Sequence, residues 1–135
     1  MRHIQEYMLN HTRLGIPIFT VAEALHGSVH EGSTIYPQNI ALASTFNPEL
    51  AYLRATEISK ELHYQGINQI LAPCIDVVRD LRWGRIEESY GEDPYLNGIF
   101  AYKEAKGYLD NGISPMLKHY GAHGNPCLLY TSDAA

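Results

Sequence analysis

Three short apolar runs, each followed by a polar turn that contains glycine, constrain the fold of this chain more than any other feature of its sequence. They cover residues 15–21, 67–78 and 113–120. Apolar runs of this length that are separated by helical segments are typical of buried parallel strands. The pattern therefore predicts strands that alternate with helices and are joined by right-handed crossovers.

The segments between these runs carry helix signals. Residues 47–66 begin with an asparagine that can cap a helix, continue with Pro48 and end on glycine. Residues 93–112 repeat this design from an aspartate to a glycine, although Gly107 lowers the helix propensity of the segment. The opening residues 3–12 are also predicted to be helical.

Two architectures fit this alternation: an open doubly wound sheet and part of a (β/α)₈ barrel. No phosphate-binding glycine signature follows any of the three runs, which counts against a nucleotide-binding open sheet. A whole barrel needs about 250 residues, and this chain of 135 holds roughly half of one.

Composition excludes several classes of function. The net charge is −5, with 10 Lys and Arg against 15 Asp and Glu, so we expect no nucleic-acid partner. No apolar run reaches the roughly 18 residues of a membrane span, so we expect no membrane partner.

The 2 cysteines do not form a disulfide framework, and Cys74, in an apolar run, is predicted to be a small buried residue.

Polar side chains collect where the three predicted strands end, which is the functional face of a parallel barrel. A carboxylate accepts hydrogen bonds from adjacent hydroxyls, while Arg and Lys donate to them, so this mixture suits a polyhydroxylated ligand. The three groups are Glu23 and His26; Arg79, Asp80, Arg82, Trp83 and Arg85; and Lys118, His119 and His123.

Four stretches together resemble the N-terminal barrel domain of glycoside hydrolase family 3: RLGIPIFTVAEALHG, GSTIYPQNIALASTFNPEL, APCIDVVRDLRWGRIEESYGEDPYL and MLKHYGAHG. The resemblance covers about residues 14–124. It implies an α/β fold that is a partial TIM (β/α)₈ barrel, with parallel strands alternating with helices. It also implies a fragment of an exo-acting retaining β-glycosidase that hydrolyses terminal non-reducing β-D-glucosyl or β-D-xylosyl residues.

The resemblance implies that Glu23, Arg85, Lys118 and His119 bind the hydroxyls of the terminal sugar. Many family members have aspartate where this chain has Glu23, and the longer side chain favours acceptance of a pentose such as xylose. Leu81 stands where the family usually has proline. The leucine loosens the turn but removes no group that faces the ligand.

The two catalytic carboxyl groups of a retaining glycosidase lie about 5–5.5 Å apart. In this family the nucleophile is an aspartate on a later barrel strand, and the acid/base usually comes from a following domain. We therefore assign no catalytic residue within this chain and expect the chain alone to be inactive. Glu87 and Glu88 are adjacent, and adjacent side chains tend to point apart, so they are not assigned as the catalytic pair.

The charged loop after the second run allows alternative interpretations. Trp83 either stacks on a sugar ring or anchors the loop by packing, and packing is favoured. Arg85 is expected to contact the ligand. The remaining charges, Arg79, Arg82, Glu87, Glu88 and Glu92, are interpreted as mutually paired supports. The pairs His26/His30 and His119/His123 have a spacing that is compatible with zinc, but they lack a third ligand motif, so we expect no metal and no cofactor.

Two alternative functions remain open on the sequence: a non-catalytic carbohydrate-binding barrel fragment, and the β-N-acetylglucosaminidase branch of the same family. That branch typically has proline after its lysine-histidine pair, and KHYGAHGN lacks it. Family members are often periplasmic or secreted. We expect residues 1–126 to be an incomplete barrel domain, and residues 127–135, CLLYTSDAA, to be a non-native tail because they resemble a translated sequencing adapter.

Overall fold

The computed structural model describes residues 2–120 and 123–124. Three strands form one parallel sheet in the order β1-β2-β3, with Val21 opposite Gln69 and Gln69 opposite Ser114. In chain order the elements are α1 (Arg2–His11), β1 (Val21–Ala22), α2 (Asn39–Ala43), α3 (Glu49–Gln65), β2 (Gln69–Ile70), a 3₁₀ turn (Ile86–Glu88), α4 (Pro94–Asp110) and β3 (Ser114–Pro115).

The predicted alternation of parallel strands and helices is confirmed, but the strands are shorter than the apolar runs predicted. Pro73 has no N–H to donate, so the β2 ladder cannot continue through it. Pairing resumes at Cys74, which forms an isolated parallel bridge with Lys118. Helix α2 and the 3₁₀ turn were not expected from the sequence.

The helix ends follow the predicted local signals. The Asp93 carboxylate accepts a hydrogen bond from the Leu96 N–H over 2.7 Å, and proline follows it at the first position of α4. Gly66 closes α3 with a φ of 76°, the left-handed conformation that glycine adopts at low cost. The Asn47 side chain accepts from the Glu49 N–H over 3.2 Å at the start of α3.

The apolar face of α3 packs on the sheet and on α4. Ala51, Ala55, Ile58 and Leu62, the face expected from helical spacing, are all fully buried. Burying a side chain such as isoleucine or leucine contributes about 1.5–3 kcal/mol each. This packing fixes the helices behind the sheet and leaves the carboxyl ends of the strands to the loops.

Gly107 lies at a close approach of α4 to α3. A Cβ at this position would lie 2.7 Å from the Tyr52 carbonyl oxygen and 2.8 Å from the Ala55 Cβ. We expect Gly107→Ala to lower the free energy of unfolding by about 1–3 kcal/mol, because the helices must separate. Urea denaturation measures this change.

Gly98 on the same helix is the matched control, because a Cβ there would meet no described atom within 4 Å. Gly98→Ala should raise the free energy of unfolding by about 0.5–1 kcal/mol through helix propensity. Equal effects of the two substitutions would show that the close approach of the helices does not matter.

Several large apolar side chains are exposed in and beside β1 and β3. They are Ile16, Ile18, Phe19, Val21, Met116 and Leu117.

Among the described residues, no helix has the length and apolar character needed to cross a membrane. The predicted tail and Cys127 lie outside the described residues.

Candidate functional site

The four side chains predicted to bind sugar form two adjoining pairs beyond the ends of the strands. Lys118 Nζ lies 3.1 Å and 3.2 Å from the two carboxylate oxygens of Glu23. His119 Nε2 lies 3.1 Å from a terminal nitrogen, Nη1, of Arg85. Lys118 and His119 are consecutive, so the backbone joins the two pairs at the end of the third strand, and these four residues are called the cluster.

The backbone places Lys118 and His119 at the carboxyl end of the sheet. The Lys118 N–H donates to the Pro73 carbonyl over 3.0 Å, and the Ile75 N–H donates to the Lys118 carbonyl over 2.6 Å. These bonds continue the pairing of the second and third strand segments beyond Pro73. Glu23 follows β1 directly, so the neighbouring strand delivers its carboxylate to the same edge.

Arg85 is held by the carboxylate of Glu88. Its Nε and Nη2 atoms each donate to one carboxylate oxygen over 2.6 Å, in the two-pronged geometry that suits a guanidinium. This hydrogen bonding raises the pKa of Arg85 above its ordinary value, with burial opposing the shift. The fork fixes the plane of the guanidinium and leaves Nη1 to face His119.

Asp76 is the buried centre of the site, and sequence reasoning did not single it out. The residue is 1% exposed. Its Oδ2 accepts from His119 Nδ1 over 2.6 Å, and its Oδ1 accepts from the backbone N–H of His123 over 2.7 Å. The His119 N–H and the Cys74 thiol donate to Oδ2 over 3.2 Å each. A lone acid inside the apolar run CIDVV is the signal that was available, because a buried carboxylate needs partners.

Asp76 is ionised in the folded protein. Burial alone would raise the pKa of its carboxyl, but the hydrogen bonds from His119, His123 and Cys74 outweigh burial and lower the pKa below its ordinary value. Asp76 is therefore a negative charge at the Nδ1 edge of the His119 ring.

This shift predicts a loss of stability in acid. A carboxyl whose pKa is lower in the folded than in the unfolded chain stabilises the fold fully above its unfolded value of about 3.9. That stabilisation is lost as the pH falls through the folded-state pKa. We expect Asp76→Asn to flatten the dependence of the urea midpoint on pH below about pH 5.

Asp80→Asn is the matched control for this measurement. Arg82 hydrogen-bonds to Asp80 and lowers the pKa of that carboxyl to about 2, but the Arg82 side chain is 78% exposed. Salt should screen this pair and should act much less on Asp76. An Asp76→Asn variant with the acid response of the unchanged protein would contradict the prediction.

One described cluster has the residue types of a metal site. Atoms of Cys74, Asp76 and His119 that could act as ligands all lie within 4.8 Å of one another. Burial raises the pKa of the Cys74 thiol to about 12, so without a bound ion this group is a thiol that donates to Asp76. The geometry is therefore that of a hydrogen-bonded cluster around one carboxylate.

The Nδ1 atoms of His26 and His30 have different hydrogen-bond partners. His26 Nδ1 lies 3.0 Å from the Tyr36 carbonyl oxygen, whereas His30 Nδ1 lies 3.0 Å from the Ser28 hydroxyl. The rings of His119 and His123 are neighbours, with centroids 4.9 Å apart. Asp76, however, accepts one hydrogen bond from the His119 ring and one from the backbone N–H of His123.

Trp83 is a packed anchor, as the favoured interpretation predicted. It is 2% exposed, packs with Cys74 and Val78, and meets the ring of His123 edge-on with centroids 5.9 Å apart. A tryptophan buried in this way supports the loop from below and presents no open face to a sugar.

The predicted network of paired charges is only partly correct. Arg82 pairs with Asp80 and Arg85 pairs with Glu88. Within residues 2–120 and 123–124 no ion pair involves Arg79, Glu87 or Glu92, so these three do not brace the loop by pairing. The reason is geometric: the 3₁₀ turn places Glu88, and not Glu87, beside the guanidinium of Arg85.

Comparison with known proteins agrees with this fold and with the family that the sequence motifs resemble. The chain matches the family described as "Glycosyl hydrolase family 3 N terminal domain" over residues 1–128. A beta-xylosidase of Formosa agariphila is 46% identical over 90 residues, which cover 62% of this chain and 12% of that protein. A periplasmic beta-glucosidase of Salmonella typhimurium is 33% identical over 132 residues, which cover 92% of this chain and 16% of that protein.

A solved structure, the beta-glucosidase of Listeria innocua in complex with glucose, superposes with a TM-score of 0.83 at 34% identity. The match covers 90% of this chain and 18% of that chain. This chain thus spans less than a fifth of the length of each of these relatives. On the family match and the shared fold, the chain belongs to the N-terminal barrel domain of glycoside hydrolase family 3.

Proposed function

We propose that this chain forms part of the sugar-binding wall of an exo-acting retaining β-glycosidase. Its substrates would carry terminal non-reducing β-D-glucosyl or β-D-xylosyl residues. The observation that carries the proposal is the contact of Lys118 with Glu23 and of Arg85 with His119 at the strand ends. The relatives named beta-glucosidase and beta-xylosidase support the same class of reaction.

The cluster offers both kinds of hydrogen-bonding group that vicinal hydroxyls need. Lys118 is only 12% exposed and is held by Glu23, whose side chain is 48% exposed and free to accept from a ligand. Arg85 donates, and His119 adds a ring nitrogen beside it. A sugar that entered here would replace contacts within each of the two pairs with contacts to its own hydroxyls.

The catalytic carboxyls are proposed to lie outside residues 1–126, which we assign to the barrel domain. Glu88 is engaged on both oxygens by Arg85, so it is unsuited to act as a nucleophile. The remaining barrel segments would cover the apolar side chains that are exposed beside β1 and β3. Residues 127–135 are proposed to lie outside the native domain.

The choice between glucose and xylose is proposed to depend on Glu23. The glutamate reaches farther into the pocket than the aspartate that many family members have. A hydroxymethyl group has less room in such a pocket, so we propose that xylosides are accepted alongside glucosides.

Turnover assays test the function. The complete gene product that contains this chain should hydrolyse aryl β-glucosides or aryl β-xylosides with retention of anomeric configuration, and Glu23→Asp should shift its preference towards the glucoside. The 135-residue chain alone should show no turnover. A complete gene product that cleaves neither substrate would overturn the proposed activity.

A further inference from the structure

The hydrogen bonds around His119 define which of its ring nitrogens carries a proton. The ionised carboxylate of Asp76 can only accept, so Nδ1, at 2.6 Å, must carry the hydrogen. The guanidinium of Arg85 can only donate, so Nε2, at 3.1 Å, accepts. His119 is therefore neutral in this arrangement, with its lone pair on the side that faces the cluster.

Asp76 is built to enforce this state. It is buried, and its Oδ1 is anchored by the His123 N–H over 2.7 Å, so the carboxylate cannot turn away. The His119 backbone N–H donates to the same oxygen as the ring does, which fixes the backbone and the ring of one residue to one atom. A carboxylate behind a histidine commonly sets the tautomer and the orientation of the ring.

The opposite edge of the His119 ring, at Nε2, is then a hydrogen-bond acceptor. Nε2 has one lone pair, so an incoming hydroxyl that donates to it replaces the Arg85 N–H. The released Nη1–H can donate to the oxygen of that same hydroxyl. A hydroxyl is both donor and acceptor, so it satisfies both partners at once, whereas a group that only accepts satisfies Arg85 alone.

We propose that Asp76 is a positioning residue that holds His119 in the Nδ1–H tautomer, so that His119 Nε2 and Arg85 together accept from and donate to one sugar hydroxyl. Nothing in this step transfers a proton or breaks a bond. The identity of the ligand rests on the proposed function, but the position of the proton does not.

Neutron diffraction on deuterium-exchanged, ligand-free crystals of the complete gene product tests the proton position directly. Deuterium on His119 Nδ1 and none on Nε2 supports the proposal. Deuterium on Nε2, with or without deuterium on Nδ1, overturns it. This measurement uses the unchanged protein, so it stands even if substitutions at the buried Asp76 prevent folding.

Calorimetric binding tests the consequence for specificity. The probes are D-glucose and its 2-, 3-, 4- and 6-deoxyfluoro analogues, because fluorine accepts weakly and cannot donate. In the unchanged protein we expect one analogue to bind about tenfold more weakly than glucose, the loss of about one hydrogen bond. In Asp76→Asn this penalty should fall to about twofold, because a single amide oxygen cannot serve both His119 and His123.

Cys74→Ala is the matched control, since it removes a contact to Asp76 without touching His119. The tenfold penalty should persist in this variant. If Asp76→Asn weakens glucose and the sensitive analogue by the same factor, or if no analogue is penalised in the unchanged protein, Asp76 does not act through His119.

The two proposals fail in different ways. An unchanged protein that binds neither glucose nor xylose contradicts the proposed function, while the neutron result still decides where the proton lies. An unchanged protein that binds glucose but tolerates every fluorine substitution contradicts only the role assigned to Asp76.

Discussion

Replacing Glu104 with alanine is expected to lower the free energy of unfolding by about 3–5 kcal/mol. Glu104 is fully buried in α4, and Nη2 of Arg54, in α3, donates to its carboxylate over 2.5 Å. Loss of the carboxylate leaves a guanidinium charge buried without its counter-ion. Breaking a buried pair in this way costs more than replacing both partners with apolar groups.

The surroundings of Glu104 make this cost hard to relieve. The Tyr90 hydroxyl also donates to the Glu104 carboxylate. The substitution therefore removes an acceptor from both the Tyr90 hydroxyl and the Arg54 guanidinium. Burial raises the pKa of Glu104, and the Arg54 charge opposes that shift, so the ion pair depends on both members being present. The side chain of Arg54 is only 3% exposed, so water can do little to solvate an unpaired guanidinium there.

Urea denaturation with two companion variants checks this expectation. Glu57→Ala removes an exposed ion pair with Lys60, whose side chain is 63% exposed, and should cost less than about 0.5 kcal/mol. Glu104→Gln keeps an acceptor for Arg54 and should fall between the two. If Glu104→Ala is no more destabilising than Glu57→Ala, the buried pair does not support the fold.

The same buried pair reaches the candidate site through two further hydrogen bonds. Arg54 donates to Asn39 Oδ1 over 2.6 Å, and the Asn39 amide donates to the Glu88 carbonyl over 2.6 Å. Glu88 in turn holds Arg85. The packing of α3 on α4 therefore also fixes the turn from which the guanidinium reaches His119.

The parts of the structure that the sequence predicts well are those set by neighbouring residues. Asp93 with Pro94 and the glycine at 66 mark helix ends, because a cap needs only the residues next to it. Strand lengths were predicted less well, because a ladder depends on partners elsewhere in the chain and stops at residues such as Pro73.

The candidate site divides in the same way. Glu23 and Arg85 were predicted as sugar-binding residues because they belong to contiguous motifs. Asp76 was missed because its partner His119 lies 43 residues further along the chain. The Arg54–Glu104 pair spans 50 residues, and no local pattern joins its two members.

Arg85→Ala is expected to lower kcat/KM of the complete gene product on its preferred aryl glycoside by about 10²–10³-fold, which corresponds to the loss of one or two charge-assisted hydrogen bonds. Arg85 is the donor of the pair with His119, and its fork to Glu88 holds it in place. Without it, a sugar hydroxyl at the proposed site would lose its donor, and Glu88, whose side chain is 14% exposed, would lose its counter-ion.

Two further variants separate charge from geometry. Arg85→Lys keeps the positive charge but cannot make the two-pronged contact with Glu88 while reaching the ligand, so it should still lose about tenfold or more. Arg82→Ala, in the same loop but on a side chain that is 78% exposed, should change kcat/KM by less than about threefold. Steady-state kinetics with a thermal-denaturation check on each variant decides the matter: a folded Arg85→Ala enzyme with the activity of Arg82→Ala would remove Arg85 from the binding site. Full activity in Arg85→Lys would show that charge alone suffices and that the fork to Glu88 plays no part.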